Sequence, residues 1–354
     1  MTESLYTQAG PVPAESAPMS ATPLPVKRID CGGGAIPPQV FDSAEPLLLK
    51  GLVGKWPAVA GCRESIPAAE RYLSRFWREE PVTVYAGDSS IDGRFFYNED
   101  FTGFNFAAGK ATLPQVFAKL AEAGREDRLS TLYIGSTPVD QWLPGFRAEN
   151  DLPLPADDAL ASFWIGNRTR VSAHYDFPDN IACVVAGERL FTLFPPNQIG
   201  NLYVGPVDRT PSGQAISTVD FANPDFERFP KFAKALERAS SALLEPGDAI
   251  FIPSMWWHHV ESRRDFNLLI NYWWCNSPDF MGSPSNALMH AILALRDLPP
   301  RQRELWRGVF NHYVFDADES VCEHIPEPGR GCLAPLDESK ARKLKAELRN
   351  RLNR

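Results

Sequence analysis

The chain has 354 residues, enough for one large domain, alone or with appendages, and for a substantial core. With 36 Lys and Arg against 44 Asp and Glu, its net charge of −8 argues against a dedicated nucleic-acid binder, whose affinity would lean on neutralising phosphates. The six cysteines form no CxxC pair, which favours reduced thiols over a disulfide framework, and Cys183 and Cys275 fall in apolar runs where buried thiols are expected.

Residues 1–26 are dominated by Pro, Ala, Ser and Thr and read as a disordered tail. They lack the basic start and apolar stretch of a signal peptide. No apolar segment approaches the roughly 18 residues of a membrane helix, so a soluble, cytoplasmic protein is expected. Residues 27–150 mix short strands and helices: a strand over 45–50, helical spacing of Val116, Phe117 and Leu120 over 113–123, and a strand over 132–135. From about 161 the texture is β, with strands predicted at 163–165, 171–174, 181–185, 189–194, 249–252, 258–261 and 266–274. Ala186-Gly187 and Glu245-Pro246-Gly247-Asp248 supply turns between them.

Many short strands with long excursions between them suggest a mainly β fold with α decoration, a double-sheet jelly roll rather than a parallel α/β fold. The excursion at 205–241, with four Pro and a helical 232–239, reads as an insertion. The expected domain covers 27–282, with its jelly-roll core at about 160–275. Residues 283–354 form a helical segment: Leu288, Ile292 and Leu295 make one stripe, Pro299-Pro300 breaks it, and Leu305, Val309 and Tyr313 make the next. Leu344, Leu348 and Leu352 repeat the spacing among Lys and Arg near the end.

The chemistry concentrates in His174-Tyr175-Asp176 and in the later Met255-Trp-Trp-His258-His259. Residues i and i+2 of a strand point to one face, so His174 and Asp176 can converge on one ion, and a distant strand can deliver His258. Two histidines and a carboxylate with open positions opposite them are the facial arrangement of non-haem Fe(II) oxygenases. The bland alternative is a His–Asp hydrogen bond at a strand end. Val260 shares the face of His258 and Glu261 that of His259, so His258 is the expected ligand and His259 is expected beside the ligands or at the surface. Arg189 shares a strand face with Phe191 and Leu193, where an unpaired guanidinium is costly. It requires an anion, either a dicarboxylate cosubstrate held bidentately or an internal carboxylate. Asn180 and Asn271 are buried amides in need of partners, at a metal site or in a structural hydrogen bond.

The segments Ser172-Ala-His-Tyr-Asp176, Gly187-Glu-Arg-Leu-Phe-Thr-Leu-Phe-Pro-Pro196, Pro246-Gly-Asp-Ala-Ile-Phe-Ile-Pro253, Trp256-Trp-His258 and Asn271-Tyr-Trp273 together resemble the Jumonji-C hydroxylases. More narrowly they resemble the cupin-like branch that includes the asparaginyl hydroxylase acting on hypoxia-inducible factor. The resemblance is densest over 160–275 and implies a double-stranded β-helix with Fe(II), 2-oxoglutarate as cosubstrate and O2. It implies that His174, Asp176 and His258 hold the iron. Tyr133 sits where the family has a tyrosine bonding the cosubstrate's distal carboxylate, and Arg189 where it has a lysine gripping that carboxylate. Asn180 and Asn271 match asparagines beside iron and cosubstrate, and Trp273 joins them as a candidate cosubstrate contact. Val171 replaces a hydroxyl-bearing residue, and Ala215-Ile216 replaces an Arg-Gln pair that orients the peptide in the asparaginyl enzyme. The expected activity is hydroxylation of a C–H bond on a protein or peptide side chain other than that enzyme's asparagine. A small-molecule substrate, a non-oxidative metal-dependent cupin and a non-catalytic binding protein are the competing readings. The resemblance also implies a homodimer through the helix pair at 284–315, the alternative being helices folded back on their own barrel; charge and hydropathy favour neither nucleic acid nor membrane as partner.

Overall fold

Six consecutive side chains, Ile181 to Ala186, are buried, so the strand that carries them must be covered on both faces rather than on alternate sides. The computed structural model describes residues 22–32, 34–123, 130–211 and 213–353, and it divides the chain into two compact units, 1–275 and 276–354. In the first unit the strands are β1 (Leu24–Pro25), β2 (Lys27–Asp30), β3 (Leu47–Lys50), β4 (Val82–Gly87), β5 (Arg94–Phe95), β6 (Ala107–Ala111), β7 (Thr131–Pro138) and β8 (Leu160–Gly166). There follow β9 (Arg170–His174), β10 (Asp179–Ala186), β11 (Arg189–Phe194), β12 (Ser240–Leu244), β13 (Ala249–Ile252), β14 (Trp257–Ser262) and β15 (Asn267–Trp274). The helices of this unit are α1 (Pro57–Cys62), α2 (Ile66–Ser74), α3 (Leu113–Ala123), α4 (Val139–Trp142) and α5 (Phe232–Leu236).

The strands form two sheets. One has the order β1-β12-β11-β14-β9-β5, the other β2-β3-β13-β10-β15-β8-β7-β4-β6. Their inner faces meet in one apolar cluster, Ala182, Val184, Ile250 and Ile252 from the larger sheet against Phe191, Leu193, Leu244 and Val260 from the smaller. The outer face of the larger sheet carries Cys183, Val185, Phe251 and Ile270 and is packed by α1, α2 and α3 through Val59, Leu73, Phe117 and Leu120. The outer face of the smaller sheet is covered by the long connection between β11 and β12, where Phe194 and Trp257 pack with Leu202, Val219 and Phe232. The result is a jelly-roll sandwich with helical decoration, the expected fold.

Three expectations need correction. Residues 1–21 of the expected tail lie outside the described residues, but 24–26 are not tail: Leu24–Pro25 pairs in parallel with Ser240-Ser241, and Val26, 8% exposed, enters the inter-sheet cluster. Its edge pairing and buried Val26 outweigh the Pro-rich composition around it. The partner β12 escaped the sequence reading because Ser240-Ser241 interrupts any apolar run, although Ala242 and Leu244 alternate inward. Cys275 is exposed, one residue beyond the end of β15, where burial ends with the ladder.

The second unit contains α6 (Pro284–Leu295), α7 (Pro300–Phe310) with a π-helical turn at Asn311–Phe315, and α8 (Glu338–Leu352). Asp337 caps α8 by accepting from the Lys340 N–H. Leu288, Leu293, Leu305, Val309 and Tyr313 are exposed. Among the described residues no helix is long and apolar enough to cross a membrane.

Gly187 makes the turn from β10 to β11 at φ +78°, and a Cβ there would stand 2.3 Å from Asn267 Oδ1 and 2.5 Å from the Phe266 carbonyl oxygen. Both the left-handed backbone and the lack of space require glycine. Gly187→Ala is expected to lower stability by at least about 1–3 kcal/mol, the cost of a strained backbone position, read as a lower urea midpoint with an unchanged slope.

Candidate metal centre

The site is built by the pairing of β9 with β14. Their antiparallel register sets His174 opposite His258, with ring centroids 4.3 Å apart. Between His258 and Val260 on β14, opposite His174 and Val171 on β9, the register shifts by one residue. That bulge re-aims β9, so that Val171 and His174, an odd number of positions apart, both line the interior. The alternation then continues beyond the strand: Tyr175 packs outward on Trp257, ring centroids 4.9 Å apart, and Asp176 returns to the inside. Asp176 therefore lies past the end of β9 rather than on it. The Met255 N–H donates to the Asp176 carbonyl at 2.8 Å, and Met255 adopts φ +68° to do so.

One ligand atom from each of His174, Asp176 and His258 lies within 4.8 Å of the other two. Nδ1 of His174 is 3.0 Å from the Ser172 carbonyl oxygen, and Nδ1 of His258 is 3.1 Å from that of Trp256. A carbonyl only accepts, so each hydrogen bond places the proton on Nδ1 and leaves Nε2 as a lone-pair donor to a metal. The Trp273 indole N–H donates to Asp176 Oδ2 at 3.1 Å, and His258 Nε2 lies 3.6 Å from the same oxygen. Burial, and then the neighbouring His174, push the pKa of His258 down to about 4, so its imidazole is neutral at physiological pH. Two imidazoles that each turn Nε2 inward and a carboxylate, converging as electron-pair donors, fit a divalent first-row ion.

His259 is neither beside the ligands nor at the surface. It is 4% exposed on the opposite face of β14, with its ring 4.6 Å from that of Phe221 and its Nε2 3.5 Å from Glu261 Oε1. The 205–241 connection covers that face, which a strand pattern alone does not disclose.

His174, Asp176 and His258 share one cavity of about 370 Å³ with Tyr133, Asn180, Arg189, Asn271 and Trp273. Arg189 is 2% exposed, its Nε and Nη2 have no hydrogen-bond partner, and among the described residues no carboxylate pairs with it. Its guanidinium lies beside Tyr133. Burial lowers the Arg189 pKa and raises that of Tyr133, while each partner's charged form pulls the other back. The amides are joined in a chain: Asn271 Nδ2 donates to Asn180 Oδ1 at 3.2 Å, and the Trp164 indole N–H donates to Asn271 Oδ1 at 2.7 Å. Trp164 was not singled out in the sequence, nor were Tyr85, Phe95 and Phe106, which line the same cavity. A signal was present, since half of residues 95–106 are aromatic.

The profile of a family described as Cupin-like domain matches residues 36–280. Curated relatives include lysine-specific demethylase JMJ31 of Arabidopsis thaliana, 34% identical over 128 residues, which are 34% of this chain and 23% of that protein. The tRNA wybutosine-synthesizing protein 5 of Gallus gallus is 34% identical over 148 residues, 38% of this chain and 43% of that protein. Lysine-specific demethylase 8 of Danio rerio is 26% identical over 249 residues, 66% of this chain and 54% of that protein. The matches thus span between 23% and 54% of these relatives' lengths.

The two histidines of β14 separate the ligand from its neighbour. His258→Ala is expected to abolish stoichiometric Mn(II) binding in calorimetry, whereas His259→Ala leaves the stoichiometry at one.

Proposed function

This chain belongs to the Cupin-like domain family, and from that premise we propose an Fe(II)- and 2-oxoglutarate-dependent oxygenase that hydroxylates a C–H bond on a protein or peptide side chain. The observation that carries the reading is Arg189. A guanidinium buried without a counter-ion is costly, and a carboxylate entering the same cavity as three convergent metal donors removes that cost. A non-oxidative metal-dependent cupin leaves Arg189 unexplained.

His174, Asp176 and His258 would hold the iron, which with 2-oxoglutarate and O2 supplies the oxidation that puts one oxygen into the C–H bond while the cosubstrate becomes succinate and CO2. Arg189 and Tyr133 receive the distal carboxylate. Arg189 pairs with Ser262 and Leu193 with His258, so four residues of strand rise separate the guanidinium's origin from the metal level. That is roughly 13 Å, a gap that the long Arg189 side chain and an extended dicarboxylate divide between them. The indole of Trp273 holds Asp176 in place, and the Trp164–Asn271–Asn180 chain fixes two amides beside the metal end. Val171, Phe191, Val260 and Leu269 keep water from the space between.

The relatives' names point to different substrates, lysine in two and tRNA in one. A protein substrate is supported by the resemblance to the asparaginyl hydroxylase over 160–275 and by the 205–241 wall beside the cavity. Ala215 and Ile216, 6% and 1% exposed, bring no side-chain polar atom to hold an amide, which argues for a target other than asparagine. The exposed apolar residues of α6 and α7 support a homodimer through that helix pair.

The test is succinate formation that requires both iron and 2-oxoglutarate. Arg189→Ala is expected to weaken 2-oxoglutarate binding by about 1.5–3 kcal/mol, the worth of a hydrogen bond to a charged group, with Mn(II) binding retained. An unchanged 2-oxoglutarate affinity would defeat the assignment of Arg189. Light scattering at micromolar concentration is expected to give twice the chain mass, and a monomer there removes the dimer.

A further inference from the structure

Beyond the metal donors, the cavity is walled by Tyr85, Phe95, Phe106, Val171 and Ile216, with Ser136 and Thr210 as neutral polar atoms. Among the described residues that line it, the acids are limited to Asp176, which already receives the Trp273 N–H and faces the His258 ring. We infer that the group delivered to this metal centre is uncharged, apolar or aromatic, and that Phe95 and Phe106 select it. The inference rests on the oxygenase reading only in naming that group as the one oxidised.

A lysine or arginine side chain entering this chamber would leave water without meeting a free carboxylate, and an uncompensated buried charge is strongly unfavourable. Quaternary ammonium groups have another route, over aromatic faces turned towards a common point. Phe95 and Phe106 instead each commit one face to a neighbouring ring. Phe95 stacks on Tyr133 with centroids 5.6 Å apart, and Phe106 stacks on Phe104 at 5.1 Å. Phe106 also meets Phe95 at 5.2 Å and Tyr85 at 5.6 Å, in edge-to-face contact. These distances are ring-on-ring contacts, so each of the two rings has one face stacked on a neighbour, and together they offer the chamber a hydrocarbon wall. Such a wall stabilises an aliphatic or flat aromatic group, and Ser136 and Thr210 can bond one neutral polar atom on it.

The wall is itself held in place. Phe95 pairs with Val171 in the β5–β9 ladder, and Arg94 beside it donates to the carbonyls of Thr218 and Val219, both at 3.1 Å. The same contact ties the 205–241 connection, with Ile216, to the strand that presents Phe95.

The test is binding of small probes to the Zn(II)-loaded protein with 2-oxoglutarate present, by calorimetry and ligand-observed NMR. The probes are 4-methylphenol, butylammonium and butyltrimethylammonium. At least tenfold tighter binding of 4-methylphenol than of either cation is expected. Phe106→Asp is expected to reverse the order while 2-oxoglutarate binding persists, and Phe106→Leu, the variant safer for folding, to preserve it. Equal or tighter binding of a cation, or binding of none of the three, would overturn the inference. A tyrosine-containing decapeptide presents the same ring as 4-methylphenol: tighter binding of the peptide assigns the ring to a chain and equal binding to a small molecule, and both support a neutral group. Failure of the oxygenase reading is told apart by succinate: a protein that prefers 4-methylphenol but makes no succinate with iron loses that reading and keeps this one.

Discussion

The antiparallel pairing of β9 with β14 is the constraint on which the site depends. It sets His174 against His258, and the one-residue bulge beside them turns both Val171 and His174 inward. Around this seam each nearby feature serves a geometric need. Met255 takes a left-handed backbone conformation to hold the chain that carries Asp176. Backbone carbonyls of Ser172 and Trp256 fix the tautomers of the two rings. The donor atoms are thus fixed by backbone hydrogen bonds, which is how a scaffold achieves the small positional tolerance a metal site demands.

A second constraint is the charge inside the barrel. Arg189 stands on a strand face with Phe191 and Leu193, and its neighbour Tyr133 is a neutral phenol whose ionisation burial disfavours. Tyr133 beside the guanidinium gives it no counter-charge. The inner face of the sandwich is therefore unbalanced at one place, and that place lies in the cavity that also holds the three metal donors. An unbalanced buried cation and a convergent set of electron-pair donors are each costly to maintain, and their occurrence in one cavity is hard to explain by packing alone.

Much of this was legible in the sequence, for identifiable reasons. Strands with strong apolar content and clear turn chemistry, such as Arg189–Phe194 and Ala249–Ile252, were read to the residue, and so was the helix Leu113–Ala123. Period-two alternation placed His258 inward and His259 away from it. What alternation does not encode is the far side of the sheet, so the burial of His259 against Phe221 was missed. It also misses strands that depend on a partner: β12 begins with Ser240-Ser241 and is held by its five-residue pairing with β11, and the Pro-containing β1 is held as an edge strand on β12. The bulge in β9 is invisible for the same reason, since two-versus-one pairing is a property of two strands and not of one.

The aromatic wall shows a further limit. Tyr85, Phe95 and Phe106 come from three separate places before the jelly-roll core, and their common destination is set by the Tyr85–Tyr133 and Phe95–Val171 registers. The convergent donors His174, Asp176 and His258 sit on the paired strands β9 and β14 or directly beyond them, whereas the aromatic wall comes from β4, the two-residue β5 and the residue before β6, with a long connection beside it. The layers are joined by the β5–β9 ladder, by the Ser217 N–H donating to the Ala173 carbonyl at 2.7 Å, and by Arg94 with Thr218 and Val219 and Arg170 with Asp220 at 2.8 Å. The wall side chains themselves are not donor residues, so a side-chain change there acts on what enters the chamber rather than on the donor set. This separation is why the family relationship speaks to the metal chemistry far more directly than to the substrate.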